Sequence, residues 1–97
     1  MDFSSLKGEL EQVFTEIQEQ IQDGDLPSDA SLNQFIRLTR QLHSNADEAW
    51  ADECEDFLHL SLQLQHACKR GLIQDATRLV DSLDDARSYC HRTFKDM

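Results

Sequence analysis

The chain has 97 residues, hydrophobic side chains make up 39% of it, and its formal charge is −10. One domain is expected at this length, with a core that must be continuous because a small chain buries only about two-thirds of its unfolded surface. The charge argues against partners rich in phosphate, so neither nucleic acid nor an anionic membrane surface is expected.

Acidic groups concentrate in two places. Asp2, Glu9, Glu11, Glu16, Glu19, Asp23, Asp25 and Asp29 stand against Lys7 alone in residues 1–36, and residues 47–56 add six acids without a base. Acidic helix faces that keep a small bundle in solution explain both. Three Gly and one Pro are too few for the turns of a β protein of this length. Gln, Glu, Leu and Ala favour helix. No apolar run approaches the roughly 20 residues of a membrane span. The N-terminus lacks the basic start and apolar stretch of a secretory leader. Three cysteines are an odd count, which suits reduced thiols. A cytoplasmic protein is expected.

Phe3, Leu6, Leu10, Val13, Phe14, Ile17 and Ile21 recur every three or four residues and predict a helix over 3–23. Ser4 or Ser5 is its candidate cap, and Gly24 and Pro27 stop it. Ser28 is a candidate N-cap for a second helix over 28–43, with Leu32, Phe35, Ile36 and Leu42 inward. Ser44 followed by Asp47 signals a new start, yet Leu42, Ala46, Ala49, Trp50, Cys54 and Phe57 keep the helical period running. One unbroken helix there would be roughly 65 Å long and would imply a dimer, so a break is the favoured reading. The third helix, 46–70, turns Trp50, Cys54, Phe57, Leu58, Leu60, Leu64, Ala67 and Cys68 inward and stops at Gly71. The fourth, 73–95, carries Ile73, Ala76, Leu79, Val80, Leu83, Ala86, Cys90 and Phe94. Four helices with short loops predict an all-α, up-down-up-down antiparallel four-helix bundle.

A hairpin turning at Gly71 and Leu72 brings Cys54 level with Cys90. The same topology returns the end of helix four to the start of helix one. Phe3, Leu6, Lys7 and Leu10 should therefore meet Arg87, His91 and Phe94, with Trp50 close by. His91 borders the core stripe and is the candidate ligand for a metal or haem iron. His43, His59 and His66 are expected at the surface or its boundary. No Glu stands three residues before His59, as a carboxylate-bridged di-iron site would need. There is no nucleophile elbow, HExxH or CxxC, so an enzyme is not expected.

The stretches Ala67-Cys68-Lys69-Arg70-Gly71-Leu72-Ile73-Gln74-Asp75-Ala76 and Leu83-Asp84-Asp85-Ala86-Arg87-Ser88-Tyr89-Cys90-His91-Arg92-Thr93-Phe94-Lys95 resemble the C-terminal hairpin of the four-helix cytochromes, both cytochrome c-prime and the soluble b-type protein. They are also similar to a small bacterial family of domains named for ending in XXXCH. In the cytochromes the turn carries a Gly, and the last helix carries the haem-ligating His, followed by an aromatic and a basic residue. His91, Phe94 and Lys95 match that order, and Arg87 matches an Arg one turn before the His in the b-type protein. The pattern departs in two places. Arg87 stands where cytochrome c-prime has the first Cys of Cys-x-x-Cys-His, leaving one thioether at Cys90. Leu6 and Lys7 stand where the b-type protein supplies a Met ligand.

The resemblance implies a haem-free, cytochrome-like bundle acting as an interaction or scaffold module, with a protein partner or a second copy of the chain. Its alternative is a haem or metal sensor, or electron carrier. There His91 would be the ligand, assisted by Cys90 or Cys54, with Arg87, Phe94, Leu6, Leu10 and Trp50 around the group. From the residues themselves, a thiol switch through Cys54 and Cys90 is a third reading.

Overall fold

Four helices in sequence build the molecule. The computed structural model describes residues 3–93, with side chains from residue 5 onward. Helix α1 spans Phe3–Gln22, α2 Asp29–Ser44, α3 Ala51–Lys69 and α4 Ile73–Thr93, and a single 3-10 turn, Glu48–Trp50, precedes α3. Successive helices pack side by side and α4 closes against α1, within 35 × 23 × 19 Å. This is the antiparallel four-helix bundle that the apolar periodicity predicts.

The two stops work as the glycines imply. Gly24 has φ +82°. Its amide donates to Ile21 O at 3.0 Å and the Asp25 amide to Gln20 O at 2.9 Å. At the end of α3, Gly71 has φ +71°, with Gly71 N–Cys68 O at 3.1 Å and Leu72 N–Ala67 O at 2.9 Å. Both are the paired bonds of a Schellman motif, which needs a left-handed residue after the helix and satisfies its last carbonyls. Ser28 caps α2 by accepting from the Ser31 amide at 3.2 Å. Ser4 and Ser5 lie inside α1 rather than capping it.

The joint between α2 and α3 is a true break, placed differently from the sequence expectation. Ser44 ends α2, and its hydroxyl donates back to Arg40 O at 3.0 Å. Asp47 is the cap instead, accepting from the Ala49 amide at 3.3 Å. The α-helix proper therefore begins at Ala51, not at residue 46. Trp50, 8% exposed, fills the corner.

One apolar cluster joins all four helices, with Phe14, Ile17, Leu32, Phe35, Leu64 and Leu83 among its members. Burying each such side chain contributes about 1.5–3 kcal/mol. Three phenyl rings cross its middle. Phe14 of α1 stacks on Phe35 of α2 with centroids 5.6 Å apart, and Phe35 meets Phe57 of α3 edge-on at 5.7 Å. Because α2 packs against both α1 and α3, it buries more than its predicted stripe. Leu38 and Thr39 are also inside, as is Ser61 of α3. The two hydroxyls are satisfied within their own helices, on Phe35 O and Phe57 O at 2.8 Å each. A polar atom buried in this way keeps its hydrogen bond and costs little.

Helix α4 is held unevenly. Ala76, Val80 and Leu83 are buried, but no residue after Leu83 is buried among those described.

Candidate functional site

The ring column continues into α4 through a charged side chain. The Arg87 guanidinium lies over the Phe14 ring, 5.5 Å from its centroid. Its terminal nitrogens donate to Asp84 Oδ1 at 2.6 Å and to Glu11 Oε2 at 2.7 Å. Arg87 thus ties α4 to α1 by an ion pair and a cation–π contact at once. The bonds to Asp84 and then Glu11 hold its proton more tightly than usual, against the opposing effect of burial. Arg87 Nε is buried and has no hydrogen-bond partner. One turn on, His91 Nε2 stands 3.6 Å from Glu11 Oε1. That is beyond hydrogen-bond length but within ion-pair range for a protonated imidazole.

Beside this bridge lies a pocket of about 70 Å³ to which every helix contributes. Buried Leu10, Phe14, Phe35, Leu42 and Cys54 form its floor, with half-buried Phe57 beside them. Its rim carries the less buried Lys7, Glu11, Glu53, Arg87, Cys90 and His91.

Most of the residues singled out in the sequence are gathered here. Leu10, Arg87, Cys90, His91 and Cys54 line the one pocket. Leu6 packs into the core and Trp50 into the α2–α3 corner, and neither lines it. Phe94 lies outside the described residues. His91 is more exposed than a core-border position implies, with about half its side chain open to solvent. His59 and His66 are at the surface and His43 at its boundary. Among the described residues, no three His, Cys, Asp or Glu side chains come together in a way that could hold a metal ion.

The thiols sit in surroundings that disfavour their charge. Burial, with the nearby Cys90 and Glu53, pushes Cys54 from 9.0 up to about 12. Burial and Glu53 raise Cys90, and burial and Asp29 raise Cys68. A thiolate is the reactive form of cysteine, and apolar, anionic surroundings suppress it.

Sequence reasoning missed Glu11 and Glu53 as site residues. Both read as members of solvated acidic faces, and only the tertiary fold sets Glu11 beside residues 87 and 91. No protein-family model, curated protein or solved structure matches the chain.

Proposed function

We propose that this chain is a cytochrome-like bundle that works without haem, as a non-enzymatic interaction module of a reducing, cytoplasmic setting. The observation that carries the reading is the size of the pocket beside His91. Pockets for drug-sized ligands run to roughly 300–1,000 Å³, against about 70 Å³ here. Arg87 and Glu11 are bonded across the seam that a flat macrocycle would have to enter. Of Leu6 and Lys7, which stand where the b-type protein supplies its Met, Leu6 is packed into the core and offers no ligand atom, and Lys7 lies on the pocket rim. A haem does not fit these residues as placed. An acidic surface favours a protein partner with a basic face, since charge complementarity speeds encounter and excludes like-charged surfaces. The pocket shared by Cys54 and Cys90 supports the thiol-switch alternative, but the raised thiols count against it.

Haemin titration followed by absorbance tests the reading. No saturable Soret shift is expected at stoichiometric haemin. A one-to-one shift that His91→Ala abolishes would replace the module with a haem sensor.

A further inference from the structure

The side of the bundle built by α3 and α4 differs in charge from the side built by α1 and α2. Residues 1–36 hold eight acids against Lys7, whereas the α3–α4 face carries both signs, sorted by height. On α3, Asp52, Asp56, His59, Gln63, His66 and Arg70 recur at steps of four and three, and all six are exposed. They form one outward stripe. On α4, Arg78, Ser82, Asp85 and Tyr89 recur in the same way and are also exposed. His66, Arg70 and Arg78 share a shallow groove with Leu72 and Leu79 near the turn. Asp75 lines it too and is bonded to Arg78, whose side chain stays 77% open. The face is thus cationic toward the turn and acidic, through Asp52, Asp56 and Asp85, toward the other end.

Such a face complements itself when turned end for end. Arg70 and Asp56 are centred on residue 63 of α3. Arg78 and Asp85 are centred between residues 81 and 82 of α4, and Leu72 and Tyr89 between 80 and 81. The hairpin that sets Cys54 level with Cys90 sets residue 63 level with 81. All three midpoints therefore share one height to within about one residue, or about 1.5 Å. A two-fold axis crossing the hairpin there, beside Gln63 and Ser82, lays each helix antiparallel on its own copy. Arg70 then meets the partner's Asp56, Arg78 the partner's Asp85 and Leu72 the partner's Tyr89, each twice. Leu72 and Tyr89 are the large apolar side chains most open to solvent among the described residues, at 38% and 46%. Size permits this pairing and limits its strength. Helix α4, with 21 residues, rises about 31 Å, and two helices side by side are about 18–20 Å wide. The face is at most about 600 Å² on each copy, against the roughly 1,000 Å² in total of a specific interface. It needs no opening, since α3 and α4 are the most closely packed neighbouring pair among the described residues.

We propose that the outer face of α3 and α4 binds a second copy of this chain, as an antiparallel two-fold homodimer. Acid-rich α1 then lies on the far side of each copy, which limits the repulsion between two chains of charge −10. A dissociation constant on the order of tens of micromolar is expected for so small and polar a contact. The pocket at the α1–α4 seam stays outside it. The dimer therefore goes beyond the haem-free reading, and haemin binding at His91 would overturn that reading and leave this one standing.

The test is sedimentation equilibrium of the full chain from about 5 μM to about 1 mM, which brackets that constant. A reversible monomer–dimer equilibrium is expected. Arg70→Glu and Asp56→Arg should each weaken it at least about fivefold, because each substitution acts twice across the axis. The double variant exchanges the charges and should return to within about twofold of wild type. Asp56→Arg lowers the net charge, so general repulsion alone would make it associate more tightly. Glu16→Lys, on α1, changes the net charge equally and should not weaken the dimer. Three results would overturn the proposal: monomer throughout the range, a dimer that both single variants leave unchanged, or a double variant no tighter than the singles. If a variant fails to fold, amide NMR of the wild-type chain on dilution decides. Shifts centred on Gln63, His66, Ser82 and Asp85 support this face, and shifts that are absent or centred on α1 and α2 overturn it.

Discussion

The two sides of α1 are held by different physics. Toward α2, Phe14 stacks on Phe35, and the contact is apolar and buried. Toward α4, the packing is the thinnest of the neighbouring helix pairs among the described residues, and Arg87, steadied by Asp84 of its own helix, reaches across the gap to Glu11. Apolar burial scales with area and tolerates small displacements. A polar bridge at a half-open seam is directional, screened by salt and worth little for each pair. Among the described residues, half-buried Ala86 and Cys90 and the Arg87 bridge help to hold the last turns of α4. The same thin seam leaves the pocket. A site for a partner or ligand belongs on the weakly held side, because low local stability is what permits opening.

The comparison breaks first at the rings. Phe35 is fully buried between two other phenyls. Phe35→Ala should cost about 3–5 kcal/mol in urea unfolding, the range for losing a core aromatic. A loss under about 1 kcal/mol would mean that the apolar side is not the strong side.

Much of this architecture is legible in the chain itself. The steps of three and four from Leu6 to Ile21, the glycines at 24 and 71 and the cap at Ser28 are local signals, and local physics acts on them as written. The level pairing of Cys54 with Cys90 follows from hairpin geometry, and the structure sets both on one pocket. The joint is less legible because Ser44 and Asp47 can both cap. Ser44 turns its hydroxyl back onto Arg40 O, where a helical serine finds an acceptor, and Asp47 takes the cap. Thr39 and Ser61 stand outside the predicted apolar stripes, because a polar residue type does not reveal a hydroxyl bonded to its own helix. The Glu11–Arg87 bridge joins residues 76 positions apart, and no periodic pattern encodes such a pair. Arg87 fastens the seam through that pair and its contact over the Phe14 ring.

A smaller effect sharpens the comparison at Cys54, on the pocket floor. Its thiol is raised to about 12 in the folded chain, so ionisation favours the unfolded state. Stability from the protonated thiol is complete below about pH 9 and is lost as pH climbs toward 12. Between about pH 8 and pH 10.5, the stability difference between wild type and Cys54→Ser should move by on the order of 1 kcal/mol, at the expense of wild type. A difference that does not change with pH would put the thiol in contact with water.

The smallest effect tests the seam most directly. A double-mutant cycle of Glu11→Gln and Arg87→Met, measured by urea unfolding at low and high salt, isolates the bridge between α1 and α4. The account predicts a coupling of about 0.5–1 kcal/mol that shrinks with salt, as befits a half-exposed ion pair. Additive losses with no coupling at either salt would contradict it, and the pocket would then have no fastened wall.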